Sequence, residues 1–308
     1  MKIRFYFLII FAGLFAFVLV DNLTLTTSLS ETLTGKSDDL AFDFELPDSN
    51  LSRAIYLNLK AAIAIDNESR QVIYAYNADE VRPVASISKL LTAMVVLDDY
   101  HPDSVMTITN EDCYRSARSL FRKGIKVRVK DLLHAALLQS DNRAARALAR
   151  YAAGDYERFA ELMNAKARQL GLRDTKMREP TGLNEGNLSS AADCARLINA
   201  ARLEYPEIAR ITSLKKYVFK PVNKKRSIKL INTNKMVFSK YRVLAGKTGY
   251  IIESDYCLTT ILENSMGRTI TIVVLGSPGP QTRFREARRL ANHAFRKIEQ
   301  LVSMEGQG

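Results

Sequence analysis

The chain has 308 residues, enough for one large domain or two modest ones with a sizeable core. Lys and Arg number 45 against 33 Asp and Glu, a net charge of +12, which attracts polyanions such as acidic cell-wall polymer, anionic lipid or nucleic acid. The positive residues read as spread through the chain rather than forming one arm, and no nucleic-acid motif accompanies them, so no nucleic-acid partner is expected.

The N-terminus sets the compartment. Lys2 and Arg4 precede 16 uncharged, largely apolar residues, Phe5 to Val20, which end at Asp21. The run is slightly long for a signal-peptide core of about 7–15 residues and slightly short for a spanning helix of about 17–25. Residues 1–20 are therefore read as a signal peptide or a membrane anchor. Ser28-Leu29-Ser30 is a poor cleavage site, which tilts the reading towards an uncleaved anchor. Either way the positive end stays inside and the rest is exported, to the periplasm or the outer face of the cytoplasmic membrane. Residues 21–54, rich in Thr, Ser, Leu and Asp without steady periodicity, read as a linker.

A hairpin follows: Ala61 to Ile65 and Val72 to Tyr76 are strand-like and are joined by a polar turn. Pro83 to Leu97 comes next, a stretch apolar on nearly every side after Lys89, and so a buried helix. Ser86 falls in its first turn, where unpaired backbone N–H groups gather, and Lys89 shares its face three residues on. A serine is a poor nucleophile until a base takes its proton, and a desolvated lysine can be that base. The Ser-x-x-Lys signal alone is weak, because it recurs at Ser213 to Lys216 ahead of a strand-like run.

From Thr109 to about Glu204 the pattern is mostly helical, with helices over Asp131–Gln139, Arg143–Tyr151, Asp155–Leu170 and from a Ser189 or Ser190 cap to Leu203. From Lys215 it reverts to strands, including Arg242–Thr248, Tyr256–Leu262 and Thr269–Leu275. Arg283–Val302 then closes the chain as an amphipathic helix. Strands from both chain ends, with helices inserted between them, predict an α/β (α+β) architecture: an antiparallel sheet of about five strands, flanked by helices and interrupted by a mostly helical insert. The domain is placed at residues 55–302, with 303–308 as a tail.

The three cysteines are too few for a disulfide framework, although a Cys113–Cys194 bridge is left open; Cys257 sits in an apolar strand. His101, His134 and His293 form no metal-binding pair, and neither a metal nor a cofactor is expected.

Two further motifs complete a set. Ser140-Asp141-Asn142 interrupts two helices, and Lys247-Thr248-Gly249 ends a strand-like run. With Ser86 and Lys89 they form the signature of serine β-lactamases and penicillin-binding proteins. The chain resembles low-molecular-mass penicillin-binding proteins of the D-alanyl-D-alanine carboxypeptidase/endopeptidase family, from about residue 55 to 300. Val81 to Met94, Met163 to Ala167, Leu170-Gly171-Leu172 and Pro180-Thr181-Gly182-Leu183 carry the likeness further. It is most similar to the DD-endopeptidase branch.

The resemblance implies the penicillin-binding-protein fold and roles for particular residues. Ser86 would form the acyl-enzyme, Lys89 would take its proton, and Ser140 would relay a proton to the leaving amine. Asn142 would hold the substrate amide, Lys247 and Thr248 would grip its carboxylate, and Gly249 would join them in binding substrate. The backbone N–H groups of Ser86 and Tyr250 would form the oxyanion hole. It also implies peptidoglycan stem peptides as substrate and β-lactams as covalent inhibitors. A neutral Lys89 needs a lowered pKa, and both burial and a second cation, Lys247, push it that way. One departure stands out: Ile251 occupies the place, two after Gly249, where a hydroxyl residue is expected.

Two rivals are weighed. A class A β-lactamase needs Glu-x-x-Leu-Asn, and Glu179 to Asn184 is one residue too long. A non-catalytic penicillin sensor would need a signalling domain, and none is attached to the single candidate span.

Overall fold

The computed structural model describes residues 42–47, 55–114 and 119–305. Strands β1 (Ala61–Asp66) and β2 (Val72–Tyr76) form the first hairpin. A short strand β3 (Arg82–Pro83) and a 3-10 turn (Ala85–Ser88) lead into helix α1 (Lys89–Asp98). Strands β4 (Val105–Thr107) and β5 (Lys126–Arg128) then pair as a ribbon. The helical expectation from Thr109 onward fails in the described residues 109–114 and 119–125, which form turns: Asp112 accepts from the Thr109 backbone and hydroxyl, and Gly124 takes φ 81.

Helices begin with α2 (Val129–Leu138), α3 (Asn142–Ala153) and α4 (Tyr156–Gln169). Strand β6 (Leu188–Ser189) pairs with β3, and α5 (Ala191–Leu203) follows, capped by the Ser190 hydroxyl on Asp193 N. The short helix α6 (Pro206–Ser213), with proline in its first turn, escaped the sequence pattern because eight residues hold too few periods to register. Strands β7 (Lys216–Phe219) and β8 (Ile228–Ile231) form a second ribbon, followed by a 3-10 turn (Lys235–Phe238). Strands β9 (Arg242–Ile251), β10 (Asp255–Glu263) and β11 (Thr269–Ser277), then helix α7 (Pro280–Glu305), close the chain.

The five long strands make one antiparallel sheet in the order β2-β1-β11-β10-β9, as expected from strands at both chain ends. Both faces are buried, and the side-chain period of two divides them. Ile63, Ile65, Val273, Leu275, Cys257 and Ile261 face the helical insert, whereas Ala62, Ala64, Ile272, Val274, Leu258 and Leu262 face α7. That helix meets the sheet with the predicted stripe, Phe284, Ala287, Leu290, Ala291, Ala294, Phe295 and Ile298. Helix α1 is buried along almost its whole length and packs against α2, α3, α4 and α5, which fixes its first turn rigidly.

Residues 42–47 fall within the stretch read as a linker, yet Phe42 and Phe44 are buried in the core, with the Arg70 and Arg196 guanidinium groups 4.0 and 4.4 Å from their ring centres. The apolar run 5–20 lies outside the described residues. Among the described residues no helix is long and apolar enough to cross a membrane. Cys194 and Cys257 are buried thiols, and Cys194 lies 3.7 Å from the Ser189 hydroxyl, so the bridge left open for Cys194 does not form.

Candidate active site

Ser86 lies in the 3-10 turn rather than in the first α-helical turn. In a 3-10 helix side chains three apart eclipse one another, so the turn brings Ser86 and Lys89 closer than an α-helix would. The Lys89 amine is 2.8 Å from Ser86 Oγ and 2.7 Å from Asn142 Oδ1, and it donates to the Thr181 carbonyl. A lysine only donates to an amide side chain, so the Asn142 oxygen must face it. Ser86 Oγ is also 3.2 Å from the Thr181 carbonyl. Ala85, just before Ser86, is held at φ 48, a left-handed conformation that packing must enforce.

Lys89 is fully buried. Burial lowers its pKa to about 7, Arg146 adds to the effect, and Glu179 and Asp141 oppose it. The sequence reading assigned the added push to Lys247 instead. Lys247 is itself pushed well below the ordinary lysine range, by burial first and then by Lys89 and Arg283.

Lys247 reaches from β9, an edge strand, to donate to Ser140 Oγ at 2.8 Å and to the Thr248 carbonyl at 2.9 Å. Ser140 takes φ 61 at the break between α2 and α3, which turns its side chain towards Lys247. Asp141 caps α3 through Ala144 N and also holds Ser119 and Leu120, so this residue of the motif builds the loop. Thr248 Oγ1 is 2.7 Å from Thr233 Oγ1. A Cβ on Gly249 would stand 2.6 Å from the Val84 carbonyl, so only glycine lets β9 lie against the Ser86 turn. Tyr250 follows on the same strand, its ring stacked on Tyr256 at 4.1 Å. Ile251, where a hydroxyl was expected, is buried, and its N–H is met by Ser254 Oγ at 3.1 Å.

The structure thus brings together Ser86, Lys89, Ser140, Asn142, Lys247, Thr248 and Gly249, from three separate parts of the chain. The second Ser-x-x-Lys does not form a site: Ser213 ends α6 with its hydroxyl on the Arg210 carbonyl, and Lys216 opens β7.

Three contributors escaped the sequence reading. Thr181 acts through a backbone carbonyl. Glu179 shapes its own loop: Oε2 accepts from Thr181 N and Oγ1 at 2.8 and 2.7 Å, and Oε1 from Gly182 N and Leu183 N at 2.6 and 2.8 Å. With both oxygens so engaged, Glu179 is not free to direct a water at Ser86, which weighs against the β-lactamase rival. Arg283 is buried at the start of α7 and donates to the Gly249 and Cys257 carbonyls at 2.9 and 3.0 Å. Burial lowers its pKa to about 10.

A serine hydroxyl on a buried lysine amine, with a second buried lysine across the cleft, can form and resolve an acyl-enzyme without a metal ligand set. Together with the sheet built from both chain ends, this defines an active-serine enzyme of penicillin-binding-protein architecture. Known proteins agree. The pattern of the D-alanyl-D-alanine carboxypeptidase family (peptidase family S11) matches residues 50–279. A D-alanyl-D-alanine endopeptidase of Escherichia coli (strain K12) is 35% identical over 236 residues, 75% of each chain. One from Pseudomonas aeruginosa is 37% identical over 237 residues, again 75% of each. Among solved structures, the Streptomyces K15 DD-transpeptidase superposes with a TM-score of 0.72 at 26% identity, over 78% of this chain and 98% of that one. Penicillin-binding protein D2 of Listeria monocytogenes, in its cefotaxime-bound form, superposes with a TM-score of 0.70 at 29% identity, over 78% and 98%. The chain belongs to the D-alanyl-D-alanine carboxypeptidase family and is a serine-type D-Ala-D-Ala peptidase.

Proposed function

We propose that the chain is an exported DD-endopeptidase that opens D-Ala–diaminopimelate cross-links in peptidoglycan, and that the same site trims D-Ala from pentapeptide stems. The observation that carries this reading is the buried Lys89 amine held between Ser86 Oγ, Asn142 Oδ1 and the Thr181 carbonyl. In its neutral form the amine gives two N–H groups to the Asn142 and Thr181 oxygens, which aims its lone pair at the Ser86 hydroxyl. Ser86 Oγ then attacks the D-Ala carbonyl as its proton passes to Lys89. The oxyanion is met by the N–H groups of Ser86 and Tyr250, each such donor commonly contributing about 2.7–4 kcal/mol. Ser140 relays the proton taken up by Lys89 to the leaving amine, which separates with that proton and leaves Lys89 neutral; water then attacks the acyl carbonyl as its proton passes to Lys89, and that proton returns to Ser86 Oγ as the ester bond breaks.

Asn142 has its oxygen on Lys89, so the amide end it offers a substrate carbonyl is the NH2. The substrate carboxylate lies beside Lys247 and Thr248, with Gly249 keeping the floor of the cleft clear. An arriving carboxylate favours the protonated form of the Lys247 amine, because an anion at contact stabilises the charged group. Both reactions present such a group next to the scissile bond, on the D-centre of diaminopimelate or on terminal D-Ala. That two of the relatives are D-alanyl-D-alanine endopeptidases supports the choice of the cross-link as substrate. Residues 1–20 fit an export signal or an anchor to the outer face of the membrane, and residues 55–302 the peptidase domain.

Penicillin labelling tests the chemistry. Intact-mass analysis is expected to give a single adduct, and peptide mapping to place it on the peptide carrying Ser86. An adduct on Ser213, or none, refutes the assignment. Lys247→Ala should lower kcat/KM on cross-linked dimer and on pentapeptide alike, by about 10- to 150-fold, the equivalent of one charge-assisted hydrogen bond. If either substrate is turned over at the wild-type rate, the shared carboxylate pocket is wrong.

A further inference from the structure

The excess positive charge is not spread through the chain, as the sequence reading had it. The 45 residues from Ile208 to Ile252 contain twelve Lys and Arg and no Asp or Glu, which equals the net +12 of the whole protein. This stretch supplies most of α6, the β7–β8 ribbon, the second 3-10 turn and β9, the edge strand that carries Lys247 and Thr248. The ion pairs near it lie at its ends, Arg210 with Glu207 and Arg242 with Glu263.

Within this flank a groove of about 520 Å³ is lined by Gln139, Lys229, Thr233, Lys235, Pro280 and Arg283. It touches the catalytic cleft at three points. Gln139 immediately precedes Ser140, Thr233 Oγ1 is 2.7 Å from Thr248 Oγ1, and Arg283 donates to the Gly249 carbonyl at 2.9 Å. All three points lie beside Ser140, Lys247 and Thr248, the groups assigned to the leaving amine and its neighbouring carboxylate. The groove therefore opens on the side of the cleft assigned to the leaving group. Lys229 and Lys235 are exposed along it, and neither has an ion-pair partner among the described residues.

We propose that this groove receives the second stem peptide of a cross-link, with Lys229 and Lys235 facing its carboxylates. The inference rests on the endopeptidase reading and names the part of the substrate that distinguishes it. When a pentapeptide is trimmed the leaving group is one D-alanine, which ends at Lys247 and Thr248 and leaves the groove empty. When a cross-link is opened the leaving amine belongs to a whole acidic peptide, which must continue past Thr248. Two unopposed cations in a flank with no carboxylate of its own match that charge.

The test compares a purified cross-linked muropeptide dimer with an uncross-linked pentapeptide. The double variant Lys229→Ala/Lys235→Ala is expected to lower kcat/KM on the dimer about 10-fold, mainly through KM, the scale of two exposed ion pairs. Lys229→Glu/Lys235→Glu should lower it further, and added salt should shrink the difference between wild type and the alanine variant. Pentapeptide trimming and penicillin acylation should stay within about two-fold of wild type, which also shows that the variants fold. Dimer cleavage that ignores both lysines, or that falls in step with pentapeptide trimming, overturns the groove assignment alone. A wild-type enzyme that trims pentapeptide but leaves the dimer intact overturns the endopeptidase reading with it. Absence of penicillin acylation in the wild type would instead remove the acyl-enzyme chemistry itself.

Discussion

Lys89→Arg is expected to lower acylation of Ser86 by penicillin by at least ~10²–10⁴-fold, the usual contribution of a general base. Arginine keeps the charge but stays protonated at any working pH, so it has no lone pair to offer. The wild-type pH profile should carry the same information. Burial lowers the Lys89 pKa from the usual lysine value of 10.5 to about 7, so the amine is charged and inert as a base below that pH and neutral above it. Acylation should therefore rise with pH, with a midpoint near 7, and level off above it. Stopped-flow labelling from pH 5 to 9 checks this, and a melting curve on Lys89→Arg separates lost chemistry from lost fold. Near wild-type labelling of that variant, or a flat profile, would move the base role across the cleft to Ser140 and Lys247.

What could be read from the sequence follows from which physical signals a chain carries locally. The β1–β2 hairpin and the β9–β11 meander alternate or run apolar between turn residues, and the five-stranded sheet follows from them. The candidate site residues could be picked out in the sequence because each belongs to a short motif with its own local geometry: a helix start, an interhelical break and a strand end. Thr181 was not, since a backbone carbonyl has no residue signature. Arg283 looked like any arginine at the head of an amphipathic helix, and only the packing of α7 on the sheet buries it beneath Gly249. Residues 109–114 and 119–125 are not helical: the Asp112 carboxylate takes the Thr109 N–H and hydroxyl, and the backbone bonds close only single turns, Cys113 N to the Asn110 carbonyl and Tyr114 N to the Glu111 carbonyl. The concentration of charge from Ile208 to Ile252 was open to simple counting, but its meaning depended on β9 being the edge strand beside the cleft.

Glu179→Gln should be the most informative change outside the catalytic side chains, because it separates a structural carboxylate from a catalytic one. In the wild type the carboxylate faces only donors: Thr181 N and Oγ1 on one oxygen, Gly182 N and Leu183 N on the other. Glutamine is nearly isosteric but must turn an NH2 group towards one of these sets, placing donor against donor. The loop is also pinned by Thr92 Oγ1 to the Pro180 carbonyl at 2.7 Å and by Asn187 Nδ2 to the Glu179 carbonyl at 2.9 Å, so it has little freedom to reorganise. At Gly182, held at φ 79, a Cβ would stand 2.1 Å from the Ala85 carbonyl, which shows how closely this loop sits on the Ser86 turn. The expected result is a loss of roughly 2–4 kcal/mol of stability, from one unmet donor and weakened charge-assisted bonds. Acylation should fall by about 10²-fold as the Thr181 carbonyl shifts away from Lys89 and Ser86, the cost typical of a small misplacement in a reacting site. Because both effects act before the acyl-enzyme forms, no covalent intermediate should accumulate with a peptide substrate. If Glu179 instead activated the hydrolytic water, as in the β-lactamase rival, Glu179→Gln would acylate at the wild-type rate and stall. Intact-mass spectra of the variant mixed with peptide would then show the trapped acyl-enzyme.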